Sequence, residues 1–219
     1  QYRVPVFFMM DEVVGHMTER VEIPPADQID VVERKWTTKK PGDYQVFGTT
    51  PEDLVPEMTK AGDGHRFHVT GLTHDERGYP VLNPTAQDTL LRRLLAKITT
   101  NADKLVDVRM DGVEGADVVV VSYGITSRVA AAAVESARAR GVKVGHLRLI
   151  IAWPFPSKLI AHLADTARAF VVAELNMGQM VIEVERAVAG RRPVTLVGHA
   201  GGTVHEPDVI LKAVLEAAR

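Results

Sequence analysis

Three histidines fall close together in the first third of the chain, His65, His68 and His74, and the last is followed directly by Asp75 and Glu76. Imidazole and carboxylate are donor types of zinc and other transition-metal sites. Their spacing matches no standard ligand set, and the segment lacks the helical or strand period that would hold them on one face. Surface or hydrogen-bonded histidines are the better reading. Gly198-His199-Ala200-Gly201-Gly202 is glycine-rich, as phosphate-cradling loops are, but the next helix starts only after Glu206, so it reads as a flexible turn. Ser122-Tyr123-Gly124-Ile125-Thr126-Ser127 joins a strand to a helix with one glycine, where a dinucleotide fingerprint needs three. Neither a G-x-S-x-G elbow nor an H-E-x-x-H helix occurs.

Gly62-Asp63-Gly64 raises a different chemistry. Thiamin diphosphate enzymes use such a triplet at a strand end, with a later asparagine, to hold a hard divalent ion through oxygen. Here the triplet follows Met58-Thr59-Lys60-Ala61, which is no buried strand, and Asn83 comes too soon. It reads as a turn. The chain has no cysteine, which removes disulfides, thiolate zinc sites, a cysteine nucleophile and a cysteine-held iron–sulfur cluster from this polypeptide. Lysine and arginine number 26 against 28 acidic residues, net −2, without the basic excess of a nucleic-acid binder. Apolar runs such as Val118–Val121 are far too short to span a bilayer, and no secretory signal opens the sequence. A cytoplasmic protein with no membrane partner is expected. The sequence opens at Gln1 and runs at once into an apolar segment, which suggests a natural protein extending upstream.

The elements follow from hydrophobic period. Val4–Met10 reads as a buried strand, closed by a short helix near Val13–Met17 that Asp11 is placed to cap; Met9, Met10 and Met17 read as core filler. Ile23 to Pro84 is a long connection with short strands near Asp30–Val32 and Phe67–Val69. Pro84 and Thr85 open a helix with Leu90, Leu91, Leu94, Leu95 and Ile98 as its apolar stripe; Arg92, Arg93 and Lys97 fall on the other side, where, without a net positive charge, a solvated face is the better reading than a phosphate site. Beyond Gly115, strands at Asp117–Tyr123, Val142–Ile151, Ala169–Leu175 and Val194–Val197 alternate with helices. Thr126 or Ser127 caps the first of these helices, Pro156 and Pro207 open two others, and Gly190 ends the one between. Such alternation implies right-handed crossovers and a mostly parallel open sheet.

Three strings together are more specific than any pattern. Pro5-Val6-Phe7-Phe8-Met9-Met10-Asp11-Glu12-Val13-Val14-Gly15-His16-Met17 is the first. Thr70-Gly71-Leu72-Thr73-His74-Asp75-Glu76-Arg77-Gly78-Tyr79-Pro80 is the second. The third is the succession Ser122-Tyr123-Gly124, Trp153-Pro154-Phe155-Pro156, Glu174-Leu175-Asn176-Met177-Gly178-Gln179. In this order they resemble the α subunit of the 2-oxoacid:ferredoxin oxidoreductases, most closely the 2-oxoglutarate member; many relatives carry glutamate where Thr73 stands. The implied fold is α/β. Residues 1–20 would be the end of a thiamin-diphosphate (pyrimidine-binding) domain. Residues 21–110 would be a connecting region with short strands and a helix at about 85–99. Residues 111–219 would be a transketolase C-terminal-like domain with an open, mostly parallel sheet.

The resemblance implies a heteromeric enzyme that oxidatively decarboxylates a 2-oxoacid with coenzyme A, giving an acyl-CoA, carbon dioxide and reduced ferredoxin. Thiamin diphosphate, Mg2+ and iron–sulfur clusters would be held mainly by partner subunits: a β subunit, with or without small ferredoxin-like and γ subunits. The chain would then contain no complete active site and no catalytic residue of its own. Asn176 and Gln179, at a strand end and a helix start, are candidates for an interface or assembly role. His74, Asp75 and Glu76 are candidates for ordering the connecting loop against a partner. Alternatives are a pyruvate or branched-chain 2-oxoacid enzyme of the same family, or a non-catalytic α/β interaction module.

Overall fold

The computed structural model describes residues 1–219. In chain order its elements are α1 (Glu12–His16), a 3-10 turn (Ala26–Gln28), α2 (Pro84–Thr99), α3 (Ala102–Leu105), β1 (Val108–Asp111), β2 (Val118–Tyr123), α4 (Thr126–Ala139), β3 (Val144–Leu149), α5 (Ser157–Thr166), β4 (Ala169–Glu174), α6 (Met180–Val188), β5 (Val194–Gly198) and α7 (Pro207–Ala217). The chain divides into two compact units. The first is Gln1–Phe8 with Glu19–Lys104; the second is Met9–Thr18 with Leu105–Arg219.

The second unit is a five-stranded sheet in the order β1-β3-β2-β4-β5. β2, β3, β4 and β5 run parallel, while β1 pairs antiparallel with β3 along Val108↔Leu149 to Asp111↔His146. This edge strand was not expected from the sequence, because Val108-Arg109-Met110-Asp111 is short and half polar. The β2 run Val118–Val121 is buried on both faces, since alternate side chains point to opposite sides of the pleat. Val119 and Val121 meet Leu147, Phe170 and Val172 beneath Ile160 and Leu163 of α5 and Val184 and Val188 of α6. Val118 and Val120 meet Val171 beneath Ala130, Ala133 and Val134 of α4 and Ile210 and Val214 of α7. Each buried aliphatic side chain contributes about 1.5–3 kcal/mol relative to exposure. Helices on both faces are thus held by one central strand.

The first unit is built of loops around α2. Its only ladders are the bridges Trp36↔Met58 and His74↔Pro80. Side chains replace the missing sheet. The Arg3 guanidinium donates to the carbonyls of Pro56 (3.0 Å), Glu57 (2.9 Å) and Val46 (3.4 Å), and Tyr44 donates to Glu57 O at 3.0 Å. Rings pair across the loops: His65 and Phe67 edge-on to Tyr44, His74 stacked on Phe47, His68 stacked on Tyr79. The three histidines therefore sit on three different aromatic rings.

Several sequence expectations are corrected. Val4–Met10 is no buried strand: Val6, Phe7, Phe8 and Met9 are 85–88% exposed, because no second strand in this chain pairs with them. Met9, Met10 and Met17 are accordingly exposed rather than core. Asp30–Val32 and Phe67–Val69 form no strands. In α2, Asn83 is the N-cap, accepting from Ala86 N at 2.9 Å with Pro84 in the first turn. Of the expected stripe Ile98 is buried and Leu90 half-buried, and Arg92 is exposed as expected, but Leu91, Leu94 and Leu95 are exposed while Lys97 is 3% exposed and Arg93 half-buried. The face that packs inward is Ala86, Leu90, Arg93 and Lys97, a three-to-four-residue spacing that mixes apolar and basic side chains.

Candidate functional site

In an open α/β sheet the crevice for ligands lies at the carboxyl ends of the strands, where successive crossovers diverge to opposite faces. Here β2 is followed by β3 on one side and its other neighbour is β4, so the divergence falls between β2 and β4. Tyr123 ends β2 and Glu174 ends β4. Their side chains meet: Tyr123 OH donates to Glu174 Oε2 at 2.9 Å, and Asn176 Nδ2 donates to the same phenol oxygen at 2.8 Å.

Glu174 is fully buried, yet every lone pair it directs has a partner. Oε1 accepts from the backbone N–H groups of Gln179 (3.1 Å) and Val181 (3.1 Å); Oε2 accepts from Met180 N (3.0 Å) as well as Tyr123. Those N–H groups open α6 and have no partner within the helix. A carboxylate there satisfies them and meets the positive end of the helix dipole. Burial and the adjacent Glu174 carboxylate push the Tyr123 phenol well above its ordinary range, so it stays protonated and a donor. Asn176 closes its own loop, Oδ1 accepting from Gly178 N at 2.8 Å. Gly198 lets the end of β5 approach this loop, since a Cβ there would lie 2.5 Å from Asn176 O.

The adjoining β2–α4 turn is tied by a residue more than a hundred positions away. Asp11 Oδ2 accepts from Ile125 N at 2.8 Å. The sequence placed Asp11 as the cap of its own short helix and Thr126 or Ser127 as caps of α4. Instead Asp11 makes no side-chain bond to α1, Thr126 and Ser127 lie inside α4, and the Asp11 carboxylate caps α4. Gly124 makes this possible: its φ is +56° and a Cβ would sit 2.3 Å from Asp11 Oδ2.

One further polar cluster lies beneath the turn. Ser122 Oγ donates to Ser127 Oγ at 3.0 Å and is 2.7 Å from His146 Nε2. A serine beside a histidine can form a nucleophile–base pair. Ser122 has no exposed surface, and burial pushes His146 below its ordinary range, so the trio is a neutral internal link between β2, β3 and α4.

The sequence-predicted candidates fall in two places. Asn176 and Gln179 are brought together in the second unit, Asn176 by its side chain and Gln179 by its backbone N–H. His74, Asp75 and Glu76 line a cavity of about 190 Å3 in the first unit with Phe47, Thr49 and Arg93. Asp75 organises that turn, accepting from Arg77 N and Tyr79 N at 3.0 Å each. Glu174, Tyr123 and Asp11 were missed as site-builders. The available signal was positional: an acid ending an apolar strand, five to seven residues before a helix begins.

The residues that could grip a diphosphate-bound ion do not converge. Asp63 lies in an exposed turn between Gly62 (φ +97°) and Gly64 (φ +82°), and Asn83 Oδ1 is engaged as the α2 cap. No group of three or more histidine or acidic side chains is placed to hold a metal. Asp63 and Asn83 therefore do not form an oxygen grip on a diphosphate-bound ion.

The sheet order, the helices on both faces and this closed strand-end network define a doubly covered, mostly parallel α/β domain. Residues 116–210 match the family model of pyruvate:ferredoxin oxidoreductase core domain II, and residues 1–91 match that of the pyruvate flavodoxin/ferredoxin oxidoreductase thiamine-diphosphate-binding domain. The chain belongs to the family of 2-oxoacid:ferredoxin oxidoreductase α subunits. It is 45% identical over 216 residues, 98% of its length, to the 2-oxoglutarate synthase subunit KorA of Methanothermobacter marburgensis, and spans 57% of that protein. It is 46% identical over 220 residues, all of its length, to the ketoisovalerate oxidoreductase subunit VorB of the same organism, and spans 54% of that protein. Among solved structures, 2-oxoglutarate:ferredoxin oxidoreductase from Magnetococcus marinus, with 2-oxoglutarate, coenzyme A and succinyl-CoA bound, matches with a TM-score of 0.78 and 25% identity over 90% of this chain and 34% of that one.

Proposed function

We propose that the chain is the carboxyl-terminal portion of the α subunit of a thiamin-diphosphate-dependent 2-oxoacid:ferredoxin oxidoreductase acting on 2-oxoglutarate. The reaction is oxidative decarboxylation with coenzyme A to succinyl-CoA, carbon dioxide and reduced ferredoxin. The observation that carries this reading is the 45% identity, over 98% of this chain, to a 2-oxoglutarate synthase subunit, joined to the fold match with a 2-oxoglutarate:ferredoxin oxidoreductase. In this reading residues 1–20 close the pyrimidine-binding domain, 21–110 connect, and 111–219 form the transketolase C-terminal-like domain. Thiamin diphosphate, Mg2+ and iron–sulfur clusters are held mainly by a β subunit and by ferredoxin-like or γ subunits, in the cytoplasm. No helix is long and apolar enough to cross a membrane. His74, Asp75 and Glu76 order the connecting loop for a partner, and Asn176 and Gln179 shape the strand-end face toward the assembly.

The equal identity to a ketoisovalerate oxidoreductase subunit supports a second reading, a branched-chain 2-oxoacid substrate. The test is the full-length subunit purified anaerobically with its partners and assayed for CoA-dependent dye reduction on 2-oxoglutarate, 2-oxoisovalerate and pyruvate. Strong preference for 2-oxoglutarate is expected. Preference for 2-oxoisovalerate would transfer the assignment to the branched-chain class. A chain that purifies alone, colourless and inert with all three would replace the enzyme reading with a non-catalytic interaction module.

A further inference from the structure

The first unit contains a cluster of cations without matching anions. Lys97 is 3% exposed, and the bond its ammonium makes is to a main-chain carbonyl, Arg3 O, at 3.3 Å. One turn earlier on α2, Arg93 has its Nη1 atom buried with no hydrogen-bond partner. Arg3 completes the group; its guanidinium is already shared among three carbonyls and lies 6.0 Å from the Phe47 ring centroid. Phe47 carries the stacked His74, and both rings line the same cavity as Arg93.

A buried ammonium or guanidinium normally has a carboxylate or several acceptors, because desolvating it uncompensated is strongly unfavourable. Here the three side chains repel one another: Arg93 feels Arg3, and Lys97 feels both. The carboxylate that acts on the cluster is Glu76, toward Arg93. Two carboxylates, Asp75 and Glu76, line the cavity with Arg93, but Asp75 is paired with Arg77 at 3.3 Å, so Arg93, Lys97 and Arg3 face Glu76 alone and leave a net charge of about +2, the complement of a phosphate dianion. The cavity next to Arg93 adds hydroxyls from Thr49 and Thr89 and an apolar wall from Val81, Ala86 and Leu90.

We propose that the cavity bounded by Arg93, Phe47 and His74 is a binding site for a phosphate-class dianion, with Arg93 as its direct partner and Lys97 and Arg3 as the supporting charges. The group arrives either as free phosphate or as a phosphoryl ester whose organic part lies on the apolar wall. This site is separate from the strand-end network and independent of the substrate assigned above.

The test follows thermal unfolding of the full chain against inorganic phosphate, phenyl phosphate and acetate, each compared with chloride at equal ionic strength. Phosphate is expected to raise Tm saturably, by about 5 °C at a hundredfold excess over Kd. Arg93→Met and Lys97→Met should lose that response while remaining folded by circular dichroism. In the wild-type chain, NMR of 13C-labelled lysine should show Lys97 titrating near its low value of about 8 in chloride and higher in phosphate. A tighter phenyl phosphate midpoint would assign an ester as occupant; a weaker one would assign the free ion. An acetate response equal to phosphate, or a phosphate response unchanged in both variants, would overturn the proposal.

Discussion

Glu174 and Lys97 are both buried charged side chains, one in each unit, and they are treated in opposite ways. Glu174 ends a strand of a two-faced sheet and receives three backbone N–H groups and a phenol, so its charge is met within the unit that buries it. Lys97 projects from a helix into a loop-built region and receives one carbonyl at 3.3 Å, with two guanidiniums nearby. A regular layer offers predictable arrays of unsatisfied amides at helix starts; loops held by aromatic pairs offer no such array. The second unit thus meets the Glu174 charge from within, whereas the first leaves Arg93 Nη1 buried without a partner beside Lys97.

The largest expected effect sharpens this contrast. Glu174→Leu should destabilise the second unit by about 3–5 kcal/mol, since four donors lose their acceptor at once. Thermal unfolding should report a fall of roughly 10 °C; a loss below about 1 kcal/mol would mean that water replaces the carboxylate and the network is not closed. Lys97→Met should go the other way and stabilise the first unit in phosphate-free buffer. Burial, then Arg93 and Arg3, lower Lys97 to about 8, below its unfolded value near 10.4. Between these values the unfolded chain binds more protons, so stability should rise with pH from about 8 to 10, and the full penalty of about 3 kcal/mol applies below 8. Tyr44 is held protonated by burial, and the Arg3 and Arg93 guanidiniums, although lowered by burial, keep their charges across this window. Denaturant titrations at pH 7, 8, 9 and 10 should show the rise in the wild-type chain and a flat profile in Lys97→Met.

Smaller effects probe the turn beside the strand-end network. Gly124→Ala introduces a Cβ at φ +56° against Asp11 Oδ2 and should cost about 2 kcal/mol, half from the left-handed backbone and half from displacing the carboxylate. Asp11→Ala should cost about 1 kcal/mol, the usual worth of a helix cap. The double substitution should fall short of the sum by about 1 kcal/mol, because both changes remove the same bond. Full additivity in a double-mutant cycle would show that Gly124 and Asp11 act separately.

How much could be read beforehand divides along the same line. The central strands β2 and β4 were legible because burial on both faces turns each into a continuous apolar run, as in Val118–Val121, while β3 and the half-exposed edge strand β5 were legible through the helix start and stop signals around them. The edge strand β1 was not, since Arg109 and Asp111 face solvent and break the run. In the first unit α2 was legible as a helix but not in its orientation. Its leucines form the better stripe, yet Ala86, Leu90, Arg93 and Lys97 are the side that turns inward. Asn176 and Gln179 stood out as amides at a loop. Glu174 did not, because three of its four partners are backbone amides that carry no letter in the sequence, and the fourth, Tyr123, lies 51 residues away. Asp11 was visible as a cap but not as the cap of a helix that begins at Thr126.

The bond from Ile125 N to Asp11 also sets a clock on biosynthesis. Asp11 leaves the ribosome 114 residues before the amide it will serve. At about 5–20 residues per second that is a wait of roughly 6–23 seconds. Throughout it, the segment Met9–Thr18 has been made but the rest of its unit has not. A contact of such long sequence separation closes late and slowly. Phe7, Phe8 and Met9, just upstream of Asp11, stay exposed in the folded chain, so closing this bond orders the turn before α4 without burying that apolar stretch.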